Sequence, residues 1–195
     1  SMGVFNRLTK LACDSYNRAL RILPSTVSGL NHFTKRPLVT KEAYQVLASE
    51  VSANSYPEID RFEQSTGYGI EQTWLHDIAL HTQVVVKKSP LCYAHGRLLY
   101  SALSRYLATI PKSEGITILE TGTARGFSSL CMARALEDSD RIGKVITCDV
   151  LPHRTAMYWN CIDDWERKKT REELLRPWGS LADKYILFMQ GDTQV

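Results

Sequence analysis

Two acidic residues and a glycine-rich turn in the second half of the chain are suited to holding a ligand. Glu120 precedes the turn, which runs from Gly122 to Gly126, and Asp149 ends the next apolar run. Glycine lets the backbone bend tightly and come close to a bound molecule. An acid at the first position can hold an ammonium group, and an acid at the second can accept hydrogen bonds from both hydroxyls of a ribose.

One ligand needs all of these groups side by side. S-adenosylmethionine carries an ammonium group, a ribose and a carboxylate, and the helix expected after the turn offers free N–H groups to that carboxylate. The two acids and the turn therefore predict an S-adenosylmethionine site. A nicotinamide-dependent oxidoreductase is less well supported, because its G-x-G-x-x-G turn has glycine where Ala124 stands.

The elements that must position these residues alternate between strand and helix. Short β-prone runs at 116–119, 145–148 and 185–189 are joined by a helical period at 127–136 and a long polar helical segment at about 154–175. Strands that alternate with helices predict parallel βαβ units with right-handed crossovers. The expected fold class is therefore α/β.

The turn also resembles a known family motif. The pattern E-x-G-x-x-x-G-[FY]-S, met here from Glu120 to Ser128, is similar to that of class I S-adenosylmethionine-dependent methyltransferases. The branch it resembles includes caffeoyl-CoA-like and catechol-like O-methyltransferases and bacterial sugar-tailoring enzymes. The resemblance covers about residues 94–192 and implies a Rossmann-like parallel sheet.

The resemblance implies which residues bind the cofactor. Glu120 and the backbone of the turn would contact the methionine end, Ser128 its carboxylate, Asp149 the ribose, and Gly191-Asp192 the edge of the adenine. The full expected set is Glu120, Thr121, Gly122, Thr123, Gly126, Ser128, Asp149, Gly191 and Asp192. No catalytic residue and no metal ligand is assigned, because the resemblance puts these at or after a fourth strand.

The first part of the chain is expected to be a helical N-terminal region, residues 1–110, acting as a lid, a cap or a dimer arm. Helical periods cover 4–23, 40–52, 70–86 and 91–109, with Thr40 as a cap. Residues 24–40 have the composition of a linker, and residues 54–69 are expected to be turn-rich. A partial S-adenosylmethionine-binding Rossmann-like domain follows over 111–195.

The sheet is expected to be incomplete, with strands 1–3 present. The family sheet has seven strands, so strand one, which is central there, would become an edge with unpaired N–H and C=O groups. We interpret the chain as a fragment, a truncated chain or a protein that completes its sheet through another copy. Another chain or a rearranged helix is expected to cover strand one.

The expected function is methyl transfer from S-adenosylmethionine to oxygen on a small molecule or sugar, with the acceptor half missing, so that the chain alone can be inactive. The alternative is a non-catalytic S-adenosylmethionine-binding or oligomerisation module. Expected partners are a small-molecule acceptor and a second copy. A net charge of +3 gives no argument for nucleic acid or membrane. Five cysteines without CxxC spacing indicate reduced thiols and a cytoplasmic protein.

Ordinary structural roles compete with these assignments. Glu120 can pair with Arg125 or Arg134, and Asp149 can be a plain turn acid. His153 lies near the site as a candidate base, with a surface polar role favoured over catalysis.

Other residues are expected to be structural. His76 and His81 are five positions apart, which does not align them as metal ligands on one helix face. The tryptophans of the connection between strands two and three are expected to anchor it, with stacking on adenine or acceptor as the alternative; they are Trp159, Trp165 and Trp178. The charged run 166–173 is expected to be a solvated face, with a capping box at Thr170 and Glu173.

Overall fold

The computed structural model describes residues 37–192, which form a three-stranded parallel sheet and seven α-helices. The helix predicted over 4–23 and most of the linker predicted over 24–40 lie outside the described residues. Within the described part, the prediction of an α/β fold with an incomplete Rossmann-like sheet behind a helical region is confirmed.

Four helices precede the sheet: α1 (Lys41–Ser52), α2 (Pro57–Thr66), α3 (Gln72–Thr82) and α4 (His95–Thr109). Helix α1 begins at its predicted cap, because the Thr40 side chain accepts a hydrogen bond from the N–H of Ala43 at 3.2 Å. The prediction that 54–69 is turn-rich is wrong. Proline is well placed at the first position of α2, where its missing N–H costs nothing.

The sheet contains β1 (Ile116–Thr121), β2 (Gly143–Asp149) and β3 (Ile186–Gln190) in the order β1-β2-β3. Both pairs are parallel, and Glu120 lies opposite Thr147 in the register. Helix α5 (Phe127–Asp138) crosses from β1 to β2. The carboxyl ends of the strands therefore meet at one edge of the sheet, where the predicted site residues lie.

The connection from β2 to β3 differs from its prediction as a long helix. It has two short 3-10 turns, Ile162–Trp165 and Arg176–Trp178, and two short helices, α6 (Arg171–Leu174) and α7 (Gly179–Tyr185). The Asp164 carboxylate accepts the backbone N–H groups of the two residues at 159 and 160, each at 2.7 Å. Such side-chain bonds compete with the helical ladder, so the segment folds back on itself.

Helices cover one face of the sheet. Helices α4 and α5 pack closely, since a Cβ added at Gly96 would lie 2.7 Å from the Phe127 ring. The main core gathers apolar side chains from α1 to β3, including Leu130, Val145 and Ile186. The alternate side chains of the strands point to the opposite face, where large apolar groups are exposed.

Strand β1 forms an edge, as expected, since β2 is its only sheet neighbour among the described residues. No strand or helix within 37–192 covers the face that bears Leu119, which is 71% exposed. The expected cover by a rearranged helix is therefore not found in that part of the chain, and cover by another copy stays a prediction. No helix of residues 37–192 is long and apolar enough to cross a membrane.

Candidate functional site

The Glu120 carboxylate is held by three hydroxyl groups. Ser128 and Ser129, in the first turn of α5, each donate to one of its oxygens, and Thr147 of β2 donates at 2.6 Å. Thr123 extends this chain, with its hydroxyl 2.6 Å from that of Thr147. Because the Thr147 proton goes to Glu120, Thr123 is the donor in the second bond. The carboxylate thus ties β1, β2 and α5 together.

Glu120 takes part in no ion pair among residues 37–192. The alternative in which it pairs with Arg125 or Arg134 is wrong. Arg125 donates instead to the carbonyl of Trp159, and Arg134 pairs with Asp138 at 2.9 Å. A carboxylate that is solvated by hydroxyls and forms no ion pair within the described residues is suited to an external cation.

The two glycines at the ends of the turn differ in the space around them. Gly122 has φ +84° and nothing within 4 Å of where a Cβ would stand, whereas a Cβ at Gly126, φ +94°, would meet Leu175 at 2.9 Å. Ala124 lies between them at φ +47°. These left-handed conformations explain why glycine is needed at the ends of the turn. The backbone at Gly122 is open to close approach by a ligand.

Asp149 ends β2 and points to the same side of the sheet as Glu120. Its side chain accepts the N–H of Ala124 at 2.5 Å through one oxygen and the N–H of Leu151 at 2.8 Å through the other. The residue is only 8% exposed. The bond to Leu151 is the contact of a turn acid, but the bond to Ala124 also fastens the predicted cofactor turn to β2.

One residue of the charged run 166–173, which is expected to be a solvated face, contacts this turn. Arg171 is 1% exposed, and its Nε donates to the carbonyl of Ala124 at 2.8 Å. Its guanidinium lies 3.8 Å from the Asp149 carboxylate. Burial lowers its pKa from the usual arginine value, although Asp149 and Glu120 oppose this. The helical spacing of Arg171 with the apolar pair Leu174 and Leu175 was the available signal that it faces inward.

The rest of that charged run agrees better with its prediction. Glu166, Arg167, Lys168 and Glu172 are exposed. The capping box is also present, since Thr170 accepts the N–H of Glu173 at 3.0 Å and Glu173 accepts the N–H of Thr170 at 2.8 Å.

The other predicted cofactor residues lie at the same edge of the sheet. Thr121 and Gly191 are exposed at the ends of β1 and β3, and the N–H of Gly191 donates to the Asp149 carbonyl at 2.9 Å. Asp192 is exposed as well. The Ser128 hydroxyl donates to Glu120. The backbone N–H groups at the start of α5 are therefore the donors that remain for the carboxylate of a ligand.

The histidines near these elements have local partners. His153 stacks on Phe188 with ring centroids 4.3 Å apart, and burial and Arg171 lower its pKa below the usual histidine value. His76 contacts the Tyr93 hydroxyl and His81 the Asp163 carboxylate, at 2.7 and 2.6 Å. The part of the chain that is described contains no cluster of metal-ligating side chains.

The three tryptophans of the connection differ in burial. Trp159 and Trp178 are buried, whereas Trp165 is 49% exposed and donates to the carbonyl of Val39 at 2.7 Å. All three contact protein in the described part of the chain, as anchoring predicts. Stacking on adenine or an acceptor stays a prediction.

Comparisons of the chain with protein-family models, with curated proteins and with solved structures find no match.

Proposed function

We propose that the carboxyl edge of the sheet binds S-adenosylmethionine and that the activity of the protein is methyl transfer. The observation that carries the proposal is the Glu120 carboxylate, which three hydroxyls hold beside an open glycine turn and which forms no ion pair within residues 37–192. The ammonium group of a ligand can form a charge-assisted hydrogen bond with this carboxylate. Asp149 lies on the adjacent parallel strand and faces the same side of the sheet.

The donor groups fit the remaining parts of such a ligand. The N-terminus of α5 has no side-chain cap, so its free N–H groups and positive dipole end favour a carboxylate. Asp149 uses one acceptor position on each oxygen, and a carboxylate offers about four. Acceptor capacity for two hydroxyls therefore remains. A ribose would meet Asp149 at the small part of the side chain that is exposed.

The chemistry supplied by S-adenosylmethionine when it is bound is a methyl group on a sulfonium centre. The contribution of this chain is to orient that molecule through Glu120 and Asp149, since alignment of two reactants lowers the entropic part of a barrier. We propose oxygen on a small molecule or sugar as the acceptor. A cytoplasmic location belongs to the same proposal, supported by free thiols at Cys92, Cys131, Cys148 and Cys161.

The experiment is calorimetric titration of the 195-residue chain with S-adenosylhomocysteine. We expect binding, and we expect Glu120→Gln and Asp149→Asn each to weaken it about tenfold or more, because each removes a charged hydrogen-bond partner. Glu172→Gln, an exposed acid of α6, serves as the matched control and should bind normally.

Thermal melting of each variant separates loss of binding from loss of folding. Absence of binding by the folded wild-type chain contradicts the proposal. Tighter binding of NADH than of S-adenosylhomocysteine would favour the oxidoreductase instead.

A second candidate function, a non-catalytic association module, is favoured by a different observation. The face of the sheet away from the helices exposes Leu119, Leu187 and Met189 at 71%, 52% and 48%, and the outer edge of β1 contains no lysine, arginine or proline. Parallel sheets are ordinarily covered on both faces, and unprotected edges pair with other strands. We propose a second copy of this chain as the partner.

Sedimentation velocity tests this association. We expect a dimer that Leu119→Lys converts to monomer, because the lysine places a charge in the apolar patch. Arg105→Glu, an exposed change on α4, should leave the dimer intact. A wild-type chain that stays monomeric at high concentration contradicts the association.

A further inference from the structure

Two charged side chains hold the backbone of Ala124, one at its N–H and the other at its carbonyl. Asp149 accepts its N–H at 2.5 Å, and Arg171 donates to its carbonyl at 2.8 Å. We name these two side chains the Ala124 clamp. Ala124 itself has φ +47°, a left-handed conformation that alanine avoids unless neighbouring contacts impose it. The clamp supplies contacts of that kind.

Arg171 is buried in a setting that fits a fixed guanidinium. The Cζ atom of its guanidinium lies 5.5 Å from the Trp159 ring centroid and 5.9 Å from that of Phe188. Its Nη2 lies 3.4 Å from the carbonyl oxygen of Leu151. A planar group with several donors in a rigid fork can reach two carbonyls and a carboxylate at once, and the single ammonium of a lysine does not reproduce that spacing. Burial of such a charge is costly unless partners hold it.

We propose that Arg171 is a positioning residue for nucleoside recognition, an inference that rests on the proposed function. Arg171 has no need to touch the ribose. It fixes the Ala124 turn and, through that turn, the orientation of the Asp149 carboxylate. The ribose hydroxyls would take the acceptor positions on Asp149 that Ala124 and Leu151 leave free, so the orientation that Arg171 imposes decides which of these positions face the ligand.

The first test measures the clamp without any ligand. The exchange rate of the Ala124 amide proton, followed by nitrogen-15 NMR, should rise about tenfold or more in Arg171→Lys, because the bonds that hold the turn are weakened. Arg171→Gln removes the buried charge altogether and gives a second variant if the lysine does not fold. Arg176→Lys, an exposed arginine of the same connection, is the matched control and should leave the rate unchanged.

The second test measures ribose recognition. Calorimetry compares S-adenosylhomocysteine with its 2′-deoxy analogue in the wild-type chain, Arg171→Lys and Arg176→Lys. We expect the preference for the ribose form to fall about tenfold in Arg171→Lys, because a misoriented Asp149 no longer distinguishes the two ligands. A purely structural role of Arg171 would weaken both ligands equally.

The outcomes separate this inference from the proposed function. An unchanged Ala124 exchange rate in folded Arg171 variants overturns the clamp. Equal loss of both ligands overturns the positioning role. Absence of binding by the wild-type chain overturns the proposed function, and with it the ribose role, while the exchange rate still decides whether Arg171 holds the turn.

Discussion

The turn after β1 and the connection between β2 and β3 are both irregular backbone, but different interactions hold them in shape. The turn begins from local chain geometry, with positive φ angles that glycine adopts readily at Gly122 and Gly126, and only Ala124 needs contacts from Asp149 and Arg171. The connection depends on buried side chains such as Asp164 and Arg171, which bond to backbone groups. Local patterns in a sequence therefore reveal the first kind of segment better than the second.

The largest expected effect is in the connection. Asp164→Ala should lower the free energy of unfolding by about 3 kcal/mol, because it leaves backbone N–H groups of Trp159 and Asn160 unpaired in a buried region. Urea unfolding measures this. Glu172→Ala, an exposed acid nearby, is the control and should change stability by less than about 0.5 kcal/mol. A small effect at Asp164 would show that the connection does not depend on its buried carboxylate.

A smaller effect is expected in the turn, where two glycines can be compared. Gly126→Ala should cost about 2 kcal/mol or more in unfolding free energy, since it adds a close contact with Leu175 to the strain of a positive φ. Gly122→Ala meets no neighbour within 4 Å and should cost about 1 kcal/mol. Equal losses in urea unfolding would mean that backbone conformation alone, and not packing against the connection, determines the turn.

The sequence was sufficient to predict the three parallel strands and the places of Glu120 and Asp149 at strand ends. The apolar runs at β1, β2 and β3 and the helical period at α5 have clear periods, and Glu120 and Asp149 lie at strand ends whatever the tertiary packing. Helix α2 was missed because Pro57 and the nearby polar residues are typical of turns, although proline is favourable at the start of a helix.

Arg171 and Asp164 could not be recognised in the same way. Both stand among charged residues in the sequence. Arg171 bonds to the turn, and Asp164 bonds to the backbone of its own connection where that segment folds back. The charge pattern of 166–173 predicts a solvated face, although Arg171 is nearly inaccessible to solvent. Local composition is a poor guide where a buried charged or amide side chain makes the hydrogen bonds that a helix or strand would otherwise make with the backbone.

Asn160, in the connection between β2 and β3, joins that connection to the helical region before the sheet. Its side-chain amide bonds to both the N–H and the carbonyl of Val86, at 3.0 and 2.8 Å, and it accepts the Tyr44 hydroxyl at 3.1 Å. One amide thereby substitutes for a β-bridge between segments far apart in the chain. Removal of the segment from α1 to Val86 would leave this buried amide without those partners. The helical region and the sheet are therefore expected to fold together, as one unit.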